Sequence, residues 1–227
     1  MEHRSIFIAH RGESYDAPEN TLAAINLAWE RNADAVEVDI HLTKDNEIVV
    51  IHDANTNRVG NRNKLVKNQT LEEIKQLDVG SWKGIEFKSE KIPTLIEVIE
   101  SLPPDKKLIV EIKCGREIIN PLQKLLSNMN LPVYQLEFIS FNLQVCSELK
   151  KTFPEYKVLL LSELDYTWLH RIFRPSVEAL INSALINRLD GVDVWVGKII
   201  DKNFVQKCRE NNLILYNIKD LNFAFAV

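Results

Sequence analysis

Short apolar runs rich in β-branched residues recur along the chain, at Ile6–Ala9, Ala35–Leu42, Ile48–Ile51, Leu108–Ile112, Phe138–Phe141, Lys157–Leu161, Gly191–Val196 and Leu213–Ile218. Helix-like stretches separate most of them. From Thr21 to Arg31 the residues Leu22, Ile25 and Trp29 share one helical stripe. Thr70-Leu71-Glu72-Glu73 and Thr94-Leu95-Ile96-Glu97 are Thr-x-x-Glu capping boxes that open helices, the second directly after Pro93. Strands that alternate with helices pair in parallel. The exception is the pair Ala35–Leu42 and Ile48–Ile51, separated only by Thr43-Lys44-Asp45-Asn46-Glu47, a spacing that suits a hairpin and not a crossover. The stretch from Asp53 to Asp105 is polar, turn-rich and long for one connection, so it reads as an insertion above one end of the sheet.

With 227 residues, 45% of them hydrophobic, the chain can bury a full core, and with no linker or repeat it reads as one α/β domain over residues 1–227. A formal net charge of −4 with scattered Lys and Arg argues against nucleic acid as a partner. Cys114, Cys146 and Cys208 are odd in number, far apart and without metal-ligand spacing, which suggests neither a disulfide framework nor a zinc site and points to reduced thiols. The apolar stretch at Ile6–Ala9 is too short for a signal peptide, and no apolar run reaches the roughly 18 residues of a transmembrane span. A cytoplasmic protein is the expectation.

Side chains alternate along a strand, so in Ala35–Leu42 the residues Val36, Val38 and Ile40 share one face while Glu37 and Asp39 share the other. The same logic sets Glu111 and Lys113 opposite Val110 and Ile112. His10 and His52 each close an apolar run at its C-terminal end. In a parallel barrel the helices cover the apolar faces, so these ionisable groups point into the C-terminal mouth, where the active sites of such barrels lie. Three carboxylates crowded there repel one another unless a hard divalent cation neutralises them, which implies one Mg²⁺ or Ca²⁺ held by oxygen ligands. Histidines with pKa values near ~6.5 suit general acid and general base roles beside it. Arg11 and Lys113 add donors for an anion such as phosphate. Singly, each residue has a plain structural reading, as a wet strand face, a surface ion pair or a loop cap. Their coincidence at strand ends favours a site.

These residues also resemble a known family, the glycerophosphodiester phosphodiesterases. His10-Arg11-Gly12 looks like the family's opening motif, Pro18-Glu19-Asn20-Thr21 matches its Pro-Glu-Asn-Thr segment, Glu37-Val38-Asp39 resembles its acidic strand and His52-Asp53 its His-Asp pair. Leu77-Asp78-Val79-Gly80-Ser81-Trp82 with Ile92-Pro93-Thr94-Leu95 is similar to its insertion and exit, and Glu111-Ile112-Lys113 and Ser140-Phe141 to the strands that follow. The resemblance implies a (β/α)8 TIM barrel with a small insertion, about residues 53–105, after the second-strand hairpin. It implies that Glu37, Asp39 and Glu111 bind one divalent metal, that His10 and His52 are the acid/base pair, and that Arg11 and Lys113 hold phosphate. The implied substrates are glycerophosphodiesters of the glycerophosphocholine or glycerophosphoethanolamine type, cleaved to glycerol 3-phosphate and an alcohol.

Two departures stand out. Near the seventh strand the family's Trp-Thr-Val-Asn motif is replaced by Leu215-Tyr216-Asn217-Ile218-Lys219, which puts Tyr216 at the Trp position as the expected substrate contact. The family's eighth strand-helix unit, with its Thr-Asp-x-Pro ending, has no counterpart in Asn222-Phe223-Ala224-Phe225-Ala226-Val227. An unclosed barrel would expose the edges of its first and seventh strands. A second copy of the chain could cover the gap as a homo-oligomer, the apolar tail could replace the strand, or the strand could be missing. Two other functions stay open: a lysophospholipase D-like enzyme with an apolar ramp drawn from Trp82, Phe87 and Trp195, and a non-catalytic truncated barrel that binds phosphate compounds.

Overall fold

A computed structural model of the chain describes residues 6–164, 176–196, 202–218 and 224–226. Its strands are β1 Phe7–His10, β2 Ala35–Leu42, β3 Ile48–Val50, β4 Lys107–Ile112, β5 Leu136–Ser140, β6 Lys157–Leu164, β7 Gly191–Val196, β8 Ile214–Ile218 and β9 Ala224–Ala226. They form one sheet in the order β1-β9-β8-β7-β6-β5-β4-β2-β3, and a further β1–β2 pairing curls it round on itself. From β1 through β2, β4, β5, β6 and β7 to β8 the neighbours are parallel. β3 pairs antiparallel with β2, the hairpin that the five-residue spacing predicts.

The helices are α1 Leu22–Glu30, α2 Asn57–Gly60, α3 Leu71–Lys75, α4 Leu95–Glu100, α5 Ile119–Ser127, α6 Leu143–Thr152, α7 Val177–Ile186 and α8 Lys202–Glu210. Both capping boxes form: Thr70 and Thr94 each accept from the backbone N–H of the glutamate three residues on, whose side chain bonds back. The predicted insertion contains α2, α3 and α4, but α4 buries Leu95, Val98 and Ile99 in the main core and serves as the crossover into β4.

The period-2 pattern decides which side of the sheet each residue faces. Val36, Val38, Ile40, Leu108, Val110, Ile112, Phe138, Val158, Val192 and Val194 lie in one large core that includes the apolar faces of α1, α4, α5, α6 and α7. A separate, smaller core of Ile8, Ala35, Ile109, Ile139, Leu159, Leu161 and Tyr216 fills the barrel interior. Glu37, Asp39 and Glu111 share that interior parity with Ala35 and Ile109, so the strand alternation delivers the carboxylates inward.

The eighth position departs from the βα repeat. There β9, three residues long, runs antiparallel to both neighbours, pairing Phe225 with Phe7 and with Asn217. Among the described residues the eighth position is therefore held by a short antiparallel strand from the tail. Lys219, Asn222, Phe223 and Val227 lie outside the described residues, as does the side chain of Trp195. Among the described residues no helix is long and apolar enough to cross a membrane.

Candidate active site

β2 and β4 pair in a register that sets Asp39 directly beside Glu111, with Glu37 one inward step deeper. One carboxylate oxygen from each of Glu37, Asp39 and Glu111 falls within a cluster whose members are at most 4.8 Å apart. These residues are 3%, 0% and 6% exposed, whereas the side chains of His10, Lys113, Arg11 and His52 around them are 12%, 18%, 19% and 29% exposed. The site thus has a dry acidic floor and a wetter rim.

β1 brings His10 level with Glu37, its Nε2 3.8 Å from Glu37 Oε2. The chain then turns sharply. Arg11 and Gly12 both take positive φ, 58° and 75°, and a Cβ at Gly12 would stand 2.6 Å from the Ala24 carbonyl carbon at the start of α1. Only glycine fits there without strain. The turn aims the Arg11 backbone N–H at Glu37 Oε2, 3.0 Å away, and sets its Nε 3.2 Å from Asp39 Oδ2. Lys113, just past β4, reaches Glu111 Oε1 at 2.8 Å and Asp39 Oδ1 at 3.5 Å. His52, just past β3, donates from Nδ1 to Asp53 Oδ1 at 2.6 Å, which leaves its Nε2 as the basic atom of the neutral ring.

The charges are unevenly matched. Burial raises the Glu37 carboxyl well above its ordinary range, and the negative charges of Asp39 and Glu111 push it further. Burial and then Asp39 raise Glu111 to about 7 against the pull of Lys113. Burial also works against Asp39, but Arg11, Lys113 and His52 outweigh it and hold Asp39 below the usual carboxylate range. Glu37 Oε1 and Asp39 Oδ1 are buried without a hydrogen-bond donor. Orphaned carboxyl oxygens in a dry pocket fit a hard divalent cation, which would satisfy them and offset the repulsion once all three groups are ionised.

All the residues expected at the mouth are found there except Tyr216. It is buried inside the barrel and its hydroxyl donates to Glu137 Oε2 at 2.6 Å. Glu137 pairs with Ile109, the partner of Glu37, so the hydroxyl is bonded to a carboxylate level with Glu37 at the floor of the site and two residues short of Glu111.

Several further residues join the site to which the sequence reading gave no role, Glu19 and Asn20 among them although their motif was matched. Asn20, itself at φ 58°, donates from Nδ2 to Asp39 Oδ2 at 2.8 Å and accepts from the Asp39 backbone N–H at 3.1 Å. Glu19 accepts from Arg11 at 3.1 Å. Arg58 of α2 donates to both Glu19 and Asp53. His41 Nε2 donates to the His52 carbonyl at 3.1 Å. Asp193 on β7 is buried with Oδ1 unpaired, and burial followed by the charge of Glu111 raises it to about 7. The alternation in Gly191–Val196 that turns Asp193 inward is the signal that could have found it. Arg58 gives no such signal, because its partner Glu19 is 39 residues away.

Against known proteins, residues 10–217 match the model of the glycerophosphoryl diester phosphodiesterase family. A glycerophosphodiester phosphodiesterase of Caldanaerobacter subterraneus subsp. tengcongensis is 43% identical over 164 residues, 70% of this chain and 67% of that protein. The fold is similar to an Oleispira antarctica phosphodiesterase solved with the product sn-glycerol-3-phosphate, with a TM-score of 0.78 and 30% identity over 94% of this chain and 83% of that one. A glycerophosphodiester phosphodiesterase of Thermotoga maritima aligns with a TM-score of 0.66 and 25% identity over 95% and 96% of the two chains.

Proposed function

The chain belongs to the glycerophosphoryl diester phosphodiesterase family and to its enzyme class, the phosphoric diester hydrolases, and from that premise we propose metal-dependent hydrolysis of glycerophosphodiesters to glycerol 3-phosphate and an alcohol. The observation that carries the metal dependence is the cluster of three buried carboxylates within 4.8 Å, rimmed by two histidines and two cations. Glu37, Asp39 and Glu111 would hold one Mg²⁺ or Ca²⁺. Such an ion would supply positive charge that favours deprotonation of a nearby hydroxyl and offsets the charge that builds on phosphoryl oxygens.

The remaining work falls to the chain itself. Arg11 and Lys113 donate to phosphate oxygens. One histidine removes the proton of the glycerol 2-hydroxyl as it attacks phosphorus, and the other protonates the departing alcohol oxygen. The cyclic phosphodiester that results is opened by water with the two roles reversed. Hydrogen bonding of His52 Nδ1 to Asp53 supports it in this role, because that bond fixes the tautomer with a basic Nε2. The unpaired thiols of Cys114, Cys146 and Cys208 fit a reducing, cytoplasmic setting.

The test is release of glycerol 3-phosphate from glycerophosphocholine, with Mg²⁺, Ca²⁺ or EDTA added. EDTA should abolish it, and His10→Ala and His52→Ala should each lower turnover about 10²–10⁴-fold. More than about a tenth of the wild-type rate in either variant would sink the acid/base assignment. Lysophosphatidylcholine in the same assay separates a soluble-diester enzyme from a lysophospholipase D.

A further inference from the structure

Arg58 belongs to the insertion, not to the barrel, and no step above uses it. Its guanidinium grips two carboxylates at once. Nε donates to Asp53 Oδ2 at 2.7 Å and Nη1 to Glu19 Oε2 at 2.7 Å, while Nη2 donates to Glu19 Oε1 at 2.8 Å and to Asp53 Oδ1 at 3.1 Å. Each of these carboxylates holds one active group. Asp53 Oδ1 takes the Nδ1 proton of His52 at 2.6 Å, and Glu19 Oε1 takes a proton of Arg11 at 3.1 Å.

We propose that Arg58 is a positioning residue that fixes His52 and Arg11 from a single anchor, so that the insertion sets the geometry of both proton transfer and phosphate binding. The inference rests on the roles given to His52 and Arg11 above. Neither carboxylate is sealed in the core: the side chain of Asp53 is 33% exposed and that of Glu19 is 13% exposed. A carboxylate with only a histidine or an arginine as partner can turn about its last bond, whereas two oxygens seated on a planar fork cannot. Arg58 is itself 44% exposed, where a lone ion pair contributes little to stability, and what the fork adds beyond that is a fixed direction for both carboxylates. Four hydrogen bonds spent on an exposed fork therefore make sense as orientation rather than as support for the fold. Lysine could not substitute, because one ammonium cannot span all four oxygens.

The experiment compares kcat and KM for glycerophosphocholine in the wild type, His52→Ala, Arg58→Met, Arg58→Lys, Asp53→Asn, Glu19→Gln and the Asp53→Asn/Glu19→Gln pair with and without Arg58→Met. Arg58→Met should lower kcat and raise KM, each about 10–100-fold, the range typical for residues that orient an active group. Asp53→Asn should act mainly on kcat and Glu19→Gln mainly on KM. Adding Arg58→Met to that pair should change either constant less than about threefold, since its partners are already lost. Arg58→Met with unchanged Tm but both constants within about threefold of wild type would overturn the proposal, as would full additivity with the pair. If Arg58→Met does not fold, the two carboxylate variants decide: a common effect on kcat and KM, with no split between them, overturns it. An inactive wild type or an active His52→Ala would sink the underlying roles instead. Wild-type activity lost in His52→Ala but kept in Arg58→Met sinks only the role of Arg58.

Discussion

Metal binding at this site should be strongly pH-dependent, with a size that the structure sets. Without an ion, burial first and Asp39 second raise Glu111 from 4.5 to about 7, and a ligand must give up its proton before it binds a cation. At pH 5.5 a group titrating near 7 is ionised in about one molecule in thirty, so Glu111 alone weakens apparent affinity about 30-fold relative to pH 8, or ~2 kcal/mol. Glu37, raised by its burial and by the same neighbours, acts in the same direction. The stability of the metal-free protein follows the opposite course. Because the folded pKa of Glu111 lies above the unfolded one, its contribution is fully present below 4.5 and is lost as pH rises through about 7. The increment in Tm from a saturating ion should therefore grow with pH. For a chain of this size ~2 kcal/mol corresponds to roughly 4–8 °C between pH 5.5 and pH 8. Isothermal titration calorimetry with Ca²⁺ and with Mg²⁺, in two buffers of different ionisation enthalpy, measures both the affinity and the protons released. Affinity that is flat within about threefold from pH 5.5 to 8, with no proton release, would refute the argument, because Glu37 and Glu111 could not then be both protonated at rest and ligands of the cation.

Three further outcomes follow from the geometry. Asn20→Gly keeps the positive φ at this position without strain and deletes only the side chain that holds Asp39, so it should weaken cation affinity about 10–100-fold by calorimetry while the fold persists. Tyr216→Phe removes the donor to buried Glu137 and should cost ~1–3 kcal/mol in denaturant unfolding, with KM unchanged if the hydroxyl serves the interior and raised if the residue contacts substrate. Thr94→Ala deletes the cap of α4 and should cost ~1 kcal/mol in the same measurement, with no effect on metal affinity.

The parts of this molecule that were legible from the chain are those governed by local periodicity. Alternation along Ala35–Leu42 assigned Val36, Val38 and Ile40 to the helix-covered face and Glu37 and Asp39 to the interior, because strand side chains have a period of two. The Thr-x-x-Glu spacing found two helix starts because the capping box is contained within four residues. What stayed hidden depends on long-range closure. Glu19, Arg58 and Asp53 meet only after the insertion folds back over the loop between β1 and α1, and nothing in Asn57–Gly60 marks Arg58 as more than a surface charge. The positive φ at Arg11 and Asn20 is equally unreadable, since neither residue is glycine and each is held there by partners elsewhere. Tyr216 was placed by analogy of position, which gave its strand and inward face but not the direction of its hydroxyl.

The pairings that set the acidic layer do not run through β9. Among the described residues β9 pairs with β1 at Phe7 and Ile8. His10 takes its register from the other side, opposite Glu37 on β2, and the next residue is fastened to Glu37 through the Arg11 N–H at 3.0 Å. The three clustered carboxylates lie on β2 and β4, and β2 is bonded by β1, β3 and β4, none of which depends on β9 for its pairing with β2. Hydrogen-bonded neighbours on both sides fix a strand's position and twist, so the acidic layer is set by the part of the sheet that keeps the family pattern. Loosening the seam should then expose the small interior core around Ile8 and Tyr216 before it moves the carboxylates. In amide exchange this predicts faster opening at Ile8 and Tyr216 than at Val38 and Val110. Equal protection at all four would mean that the seam and the site open as one unit.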